Sequence, residues 1–123
     1  MTRQDEVRAC LETFFAALGA RDADAAMACY APGARLEVVA PGPFGGEHVA
    51  SREGLQAFFR TISEIRFEIL GLIVDGNRVA VEVKSTGRLA NGQPYQNRYH
   101  DYFELEDGRI AVFREYPTFP TPA

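Results

Sequence analysis

The sequence predicts an α+β domain in which a cone-shaped, curved antiparallel sheet wraps around three N-terminal helices. Apolar residues repeat at helical spacing in the first half of the chain, and the repeat changes from 3.6 to 2 after residue 66. Turn signals at Asp75-Gly76-Asn77, Asn91-Gly92 and Asp107-Gly108 then separate four strand-like runs. Helices followed by an antiparallel meander are typical of this class, and 123 residues are enough for a single domain spanning 1–123.

Caps and apolar spacing predict the first two helices. Thr2 can cap the first helix, which Gly19 ends. Its buried stripe follows the spacing i, i+4, i+7, i+8 and i+11, at Val7, Leu11, Phe14, Phe15 and Leu18. Asp22 can cap a short second helix that carries Tyr30 and stops at Pro32-Gly33.

A strand and a third helix follow. Leu36 and Val38 indicate a strand over 35–40, and residues 41–46 form a Pro/Gly-rich loop that is equally a surface connection or a pocket lid. Ser51 can cap the third helix, and His48 just before it lies near the expected mouth of the cone. The buried face of this helix is predicted to be Leu55, Phe58, Phe59 and Ile62.

The meander is predicted to run through 67–74, 79–89, 95–106 and 109–116. On the third of these strands, one face carries residues that are apolar at one end and polar at the other: Tyr95, Asn97, Tyr99, Asp101, Phe103 and Leu105. A plain core strand has no need of Asn97 and Asp101 in line with Phe103, whereas the wall of a ligand pocket does. The tail, 117–123, cannot pair as a strand interior, and we expect it to be frayed.

Composition and charge exclude several functions. A net charge of −4 argues against nucleic acid as a partner. No apolar run reaches the roughly 18–20 residues that span a bilayer, and the charged N-terminus is not a secretory signal, so we expect a cytoplasmic protein. His48 and His100 have no second ligand at metal-binding spacing, and no cofactor motif is present, so neither a metal nor a cofactor is predicted.

Five short motifs in this order resemble the nuclear transport factor 2-like superfamily, in its branch of ketosteroid isomerases and SnoaL-like polyketide cyclases. They are Phe14-Phe15, Tyr30-Ala31, residues 52–59, residues 91–94, and 107–110 followed by Arg114-Glu115-Tyr116. The resemblance covers nearly the whole chain. It implies the cone fold and a homodimer formed through the outer sheet face.

The resemblance also shows which catalytic residues of the family this chain lacks. Where ketosteroid isomerases carry a tyrosine and a catalytic aspartate base, this chain carries Phe14 and Val38. Asp101 remains at the position of the oxyanion-binding aspartate. The terminal aspartate of SnoaL-like cyclases is replaced by Thr118, and the arginine of limonene-epoxide-hydrolase-like members is replaced by Tyr99. Ketosteroid isomerisation by the family mechanism is therefore not predicted.

Three residues are candidates for catalysis: Asp101, Glu115 and Tyr30. A desolvated Asp101 would have a raised pKa and could exchange protons near neutral pH. The alternative is a structural Asp101 bonded to Tyr30 or to a backbone amide. Glu115 shares the parity of Phe113 and could form a carboxylate pair with Asp101, or instead an ion pair with Lys84 or Arg98.

Further residues are expected to contact a small apolar or partly polar ligand: Phe14, Val38, Phe58, Glu82, Lys84, Tyr95, Asn97, Tyr99, Phe103 and Phe113. Glu82 and Lys84 line the cavity only if Val79, Val81 and Val83 face a dimer partner, which the family resemblance favours. If these valines face the core, which periodicity alone favours, both charges are solvated. We therefore expect an isomerase, cyclase or hydratase that works by acid–base chemistry. The alternative is a ligand-binding or dimerisation module that has lost its catalytic residues.

Overall fold

The computed structural model describes residues 1–118, which form three helices and a six-stranded sheet. The helices are α1 (Arg3–Gly19), α2 (Ala23–Ala28) and α3 (Arg52–Thr61). The strands are β1 (Tyr30–Val38), β2 (Gly46–Val49), β3 (Ile62–Asp75), β4 (Arg78–Leu89), β5 (Pro94–Glu106) and β6 (Arg109–Pro117). The predicted frayed tail is wrong for its first two residues, because Pro117 pairs with Tyr99 at the end of β6 and the Thr118 backbone N–H donates to the Arg98 carbonyl at 2.8 Å. The rest of the tail, 119–123, lies outside the described residues. No helix within residues 1–118 is both long and apolar enough to cross a membrane.

All three predicted helix caps are confirmed. The Thr2 hydroxyl accepts a hydrogen bond from the backbone N–H of Asp5 at 3.1 Å, and the Asp5 carboxylate accepts one from the backbone N–H of Thr2 at 3.2 Å. Asp22 and Ser51 accept bonds from the third residue after each of them, both at 3.0 Å. These bonds satisfy amide groups that the first turn of a helix leaves without partners, so the helix starts follow from local sequence.

The sheet is mixed, which corrects the prediction of an antiparallel sheet. The strand order is β2-β1-β6-β5-β4-β3, and β1 runs parallel to β6 while every other neighbouring pair is antiparallel. The parallel pair forms because the meander, which starts at the far edge with β3, returns across the sheet to β1. The cone architecture and the α+β class are confirmed, and the sheet is open rather than closed into a barrel.

Three boundaries differ from the sequence prediction. Strand β2 is not predicted from the sequence. Gly46–Val49 is short and exposed and lacks the alternation of apolar residues that indicates a strand. Tyr30 opens β1 rather than lying on α2. Ile62 opens β3 rather than closing α3, and its side chain is still buried.

One hydrophobic core lies between α1 and the concave face of the sheet. Phe14 sits at its centre, with its ring edge-on to Tyr30, Phe103 and Phe113 at centroid distances of 5.3, 6.2 and 5.7 Å. Phe103 and Phe113 stack at 4.5 Å across β5 and β6. Phe58 is only half-buried and packs against the edge of this core.

The valines of β4 form its inner face, toward the core. Val79, Val81 and Val83 are at most 1% exposed and belong to the core. Glu82 and Lys84 alternate with them and therefore lie on the outer face of the sheet. Side-chain periodicity thus gave the correct orientation, and the orientation favoured by the family resemblance is wrong.

Candidate functional site

A cavity of about 840 Å³ opens between the concave face of the sheet and the helices. Its wall is mainly apolar, and a group of polar side chains from β5 and β6 interrupts it. The apolar wall includes Phe14, Leu36, Val38, Leu55, Phe58 and Phe113. A volume of this order falls within the range of small-molecule sites in proteins.

Nine of the thirteen predicted site residues line this cavity. They are Phe14, Tyr30, Val38, Phe58, Tyr95, Asn97, Tyr99, Phe113 and Glu115. Asp101 and Phe103 lie behind the wall, 3% and 0% exposed. Glu82 and Lys84 lie outside the cavity and pair on the outer face with Arg98 and Glu68, each at 3.8 Å, so the expectation that they contact the ligand is wrong.

Asp101 and Glu115 face each other directly across the β5–β6 ladder. Both carboxylate oxygens of Asp101 are buried and have no hydrogen-bond partner among residues 1–118. Burial raises the pKa of Asp101 well above its usual range, and repulsion from Glu115 raises it further. A carboxyl group in such surroundings is stable when protonated, so the two residues form a carboxyl pair that retains a proton.

Glu115 is the member of this pair that reaches the cavity. Burial raises the pKa of Glu115 from 4.5 to about 7. Neither Lys84 nor Arg98 forms an ion pair with Glu115 in the described residues; Lys84 pairs with Glu68 and Arg98 pairs with Glu82. The interpretation of Glu115 as an ion-pair partner of Lys84 or Arg98 is therefore wrong.

Tyr30 lies on the cavity wall near this pair. Its ring is buried against Phe14, and its pKa is raised by burial and then by the charge of Glu115. A raised phenol pKa keeps the hydroxyl protonated, so Tyr30 is a hydrogen-bond donor at neutral pH. It makes no hydrogen bond to Asp101, whose oxygens are unpartnered, so the structural explanation for Asp101 through Tyr30 or a backbone amide is wrong.

A chain of hydrogen bonds runs along the polar wall of the cavity. The hydroxyl chain consists of Ser85, Tyr99 and Tyr95, with oxygen–oxygen distances of 2.8 and 3.2 Å. The amide Nδ2 of Asn97 donates to the Tyr95 hydroxyl at 3.0 Å. The Asn97 Oδ1 accepts from the Thr118 hydroxyl at 2.7 Å and from the Arg98 backbone N–H at 2.8 Å.

Two members of this network, Ser85 and Thr118, are not among the residues that the sequence predicts for the site. Ser85 follows Val81 and Val83 at strand spacing, so the alternation predicts that its side chain points inward. A single serine after two buried valines does not by itself indicate a hydrogen-bond network. Thr118 gave no signal because its role depends on β6 ending beside β5.

The Pro/Gly-rich loop and His48 form an exposed part of the cavity wall. Pro41, Pro43 and Phe44 line the cavity together with His48. A ring nitrogen of His48 lies 3.1 Å from the carbonyl oxygen of Phe44 and 3.2 Å from that of Gly45. The loop therefore borders the cavity, which favours the pocket-side interpretation over a plain surface connection. Within residues 1–118, no three His, Cys, Asp or Glu side chains come together as a metal site.

Comparison with solved structures identifies the same cone in other proteins. PrhC from Penicillium brasilianum superposes with a TM-score of 0.82 at 15% identity, covering 95% of this chain and 83% of that one. AusH from Aspergillus nidulans gives 0.81 at 15% identity, with 99% and 89% covered. An LEH-like epoxide hydrolase from M. tuberculosis gives 0.73 at 24% identity, with 95% and 86% covered.

No curated protein sequence matches the chain. At these identities the structural similarity establishes the fold and leaves the chemistry open. The sequence itself matches the SnoaL-like domain over residues 11–113, which is most of its length. The chain therefore belongs to the SnoaL-like domain family.

Proposed function

We propose that this protein is a small-molecule enzyme of the isomerase, cyclase or hydratase type, with Glu115 as its general acid and base. One observation carries the proposal: Glu115 lies on the wall of an apolar cavity, directly across from a buried Asp101 whose carboxylate has no hydrogen-bond partner. With a pKa of about 7, Glu115 can both accept and release a proton at neutral pH.

Each member of the site has a distinct part in this chemistry. Glu115 takes a proton from a carbon or oxygen of the bound molecule and returns it at another atom; an isomerisation needs only these two transfers. Asp101 does not line the cavity and acts as a positioning residue, because it faces Glu115 directly across the ladder and keeps its own proton when Glu115 is ionised. Tyr30 donates a hydrogen bond to an oxygen on which negative charge develops.

A non-catalytic ligand-binding domain is the second candidate. It is favoured by Phe14 and Val38, which line the cavity but can neither donate a hydrogen bond nor move a proton. Both candidates bind a small, largely apolar molecule in the same cavity. They differ in whether Glu115 exchanges protons with the bound molecule.

Deuterium exchange into 2-tetralone separates the two candidates, because this ketone has acidic protons next to its carbonyl. We expect the wild-type protein in D₂O to accelerate the exchange, with a rate that rises through about pH 7 as Glu115 loses its proton. Glu115→Gln should lower the protein-catalysed rate by about 10²–10⁴-fold.

Glu82→Gln is the matched control, since it removes a carboxylate from the outer face of the same sheet. The control should keep the wild-type rate. Exchange that is no faster than in buffer, or equally fast in Glu115→Gln, would contradict the acid–base proposal and leave the binding domain as the better explanation.

A further inference from the structure

The hydrogen atoms of the hydroxyl chain can be assigned from the buried end. Ser85 is 0% exposed, and Tyr99 is the only hydrogen-bond partner of its hydroxyl within the part of the chain that the structure describes. If Tyr99 donated to Ser85, the Ser85 hydrogen would be a buried donor without an acceptor, which is energetically unfavourable. Ser85 therefore donates to Tyr99, and Tyr99 donates its own hydrogen to Tyr95.

The other end of the chain is set by Asn97. Its Oδ1 accepts bonds from the Arg98 backbone N–H and the Thr118 hydroxyl, which fixes the orientation of the amide. Its Nδ2 then donates to the Tyr95 oxygen at 3.0 Å. The Tyr95 oxygen thus accepts from Asn97 and from Tyr99, and the Tyr95 hydrogen has no acceptor in the described protein. Tyr95 is half-buried on the cavity wall, so this hydrogen is available to the cavity.

We propose that the Tyr95 hydroxyl is a binding site for a neutral acceptor oxygen of the ligand, such as a carbonyl, ether or epoxide oxygen. Two donors polarise the Tyr95 oxygen and strengthen its own donated bond, because hydrogen bonds in a chain reinforce one another. The inference rests on the proposed function in that it places the ligand in the same cavity. It adds a specificity-determining residue and the class of group that the residue recognises.

The charges on the wall support a neutral oxygen rather than an anion. No Lys or Arg lines the cavity within residues 1–118, whereas Glu37 and Glu115 do. A carboxylate or phosphate would lose its hydration without gaining a cation in return, which is costly in an apolar site. The ligand is therefore expected to have an uncharged, mostly apolar body with an acceptor oxygen placed at Tyr95.

Two probes of one shape test the subsite: 9-fluorenone, which has a carbonyl oxygen, and fluorene, which lacks it. In Tyr95→Phe, the ratio of the fluorenone Kd to the fluorene Kd should rise about 3–10-fold. This is the change in Kd that corresponds to the loss of one neutral hydrogen bond. Tyr102→Phe is the matched control, because the Tyr102 hydroxyl donates to Glu104 at 2.6 Å on the outer face. The control should leave the ratio unchanged.

An unchanged ratio in Tyr95→Phe overturns the proposal, as does a wild-type protein that binds neither probe. Infrared spectra of ¹³C-carbonyl fluorenone give a second measurement that needs no variant. The carbonyl band of the bound ketone should lie below its position in an apolar solvent, and a band at the apolar-solvent position overturns the proposal even if Tyr95→Phe fails to fold. The two proposals can fail separately. If Glu115→Gln exchanges 2-tetralone at the wild-type rate but the fluorenone preference still depends on Tyr95, the acid–base function is refuted and the Tyr95 subsite is supported.

Discussion

Replacing Glu115 with Gln should stabilise the protein at high pH and leave it nearly unchanged at low pH. The folded state raises the pKa of Glu115 from 4.5 to about 7, so the folded protein binds a proton there that the unfolded chain has already released. The stability contributed by this group is therefore complete below about pH 4.5 and is lost as the pH rises to 7. A glutamine side chain at this position is neutral at every pH and carries no such loss.

The size of the effect follows from the same two values. Each pKa unit is worth about 1.4 kcal/mol, so the difference between 4.5 and about 7 corresponds to about 3 kcal/mol at pH 9. Removing Glu115 also relieves its repulsion of Asp101, which acts in the same direction. Glu115→Gln should then exceed the wild-type free energy of unfolding by about 3 kcal/mol at pH 9 and by less than about 0.5 kcal/mol at pH 4.

Urea unfolding followed by circular dichroism at pH 4 and pH 9 measures this difference. Glu82→Gln provides the control, because Glu82 is an exposed carboxylate paired with Arg98, and we expect a change within about 1 kcal/mol at both pH values. If Glu115→Gln is equally or less stable than wild type at pH 9, then Glu115 is solvated or paired with a cation, and Asp101 and Glu115 do not form a buried carboxyl pair.

Four further predictions concern the pair, the core, the sheet and the assembly. Asp101→Asn should unfold at the same or a higher urea concentration than wild type at pH 8, since a neutral amide replaces a buried carboxyl without partners; a lower midpoint would contradict this. Phe103→Ala should cost about 3–5 kcal/mol in urea unfolding because Phe103 is fully buried, and a loss below about 1 kcal/mol would refute the packing. Gly87→Ala should cost about 1–3 kcal/mol, because a Cβ there would meet the Glu64 carbonyl oxygen at 2.1 Å; Gly71→Ala, with no atom within 4 Å of its Cβ, should not show this loss. Light scattering should give twice the chain mass of 13.6 kDa if the outer sheet face forms the proposed homodimer, and a 13.6 kDa particle at micromolar concentration would argue against it.

Local sequence was sufficient for several features of this protein. The caps at Thr2, Asp22 and Ser51 follow from side chains that bond amides three residues away, so their signal is complete within one turn. The inner face of β5 follows from strict alternation, which placed Asn97 and Asp101 on the side of the cavity. The SnoaL-like family was also recognisable from the order of short motifs.

Other features depended on contacts between distant segments. Alternation on β4 favoured a buried valine face, but the family resemblance favoured the opposite face, and only the packing of the valines in the core decided between them for Glu82 and Lys84. The parallel pairing of β1 with β6 and the short strand β2 depend on backbone bonds between segments far apart in the chain. The pairing of Asp101 with Glu115 and the bond from Ser85 to Tyr99 depend on strand register, because a shift of one residue would turn each side chain to the opposite face of the sheet.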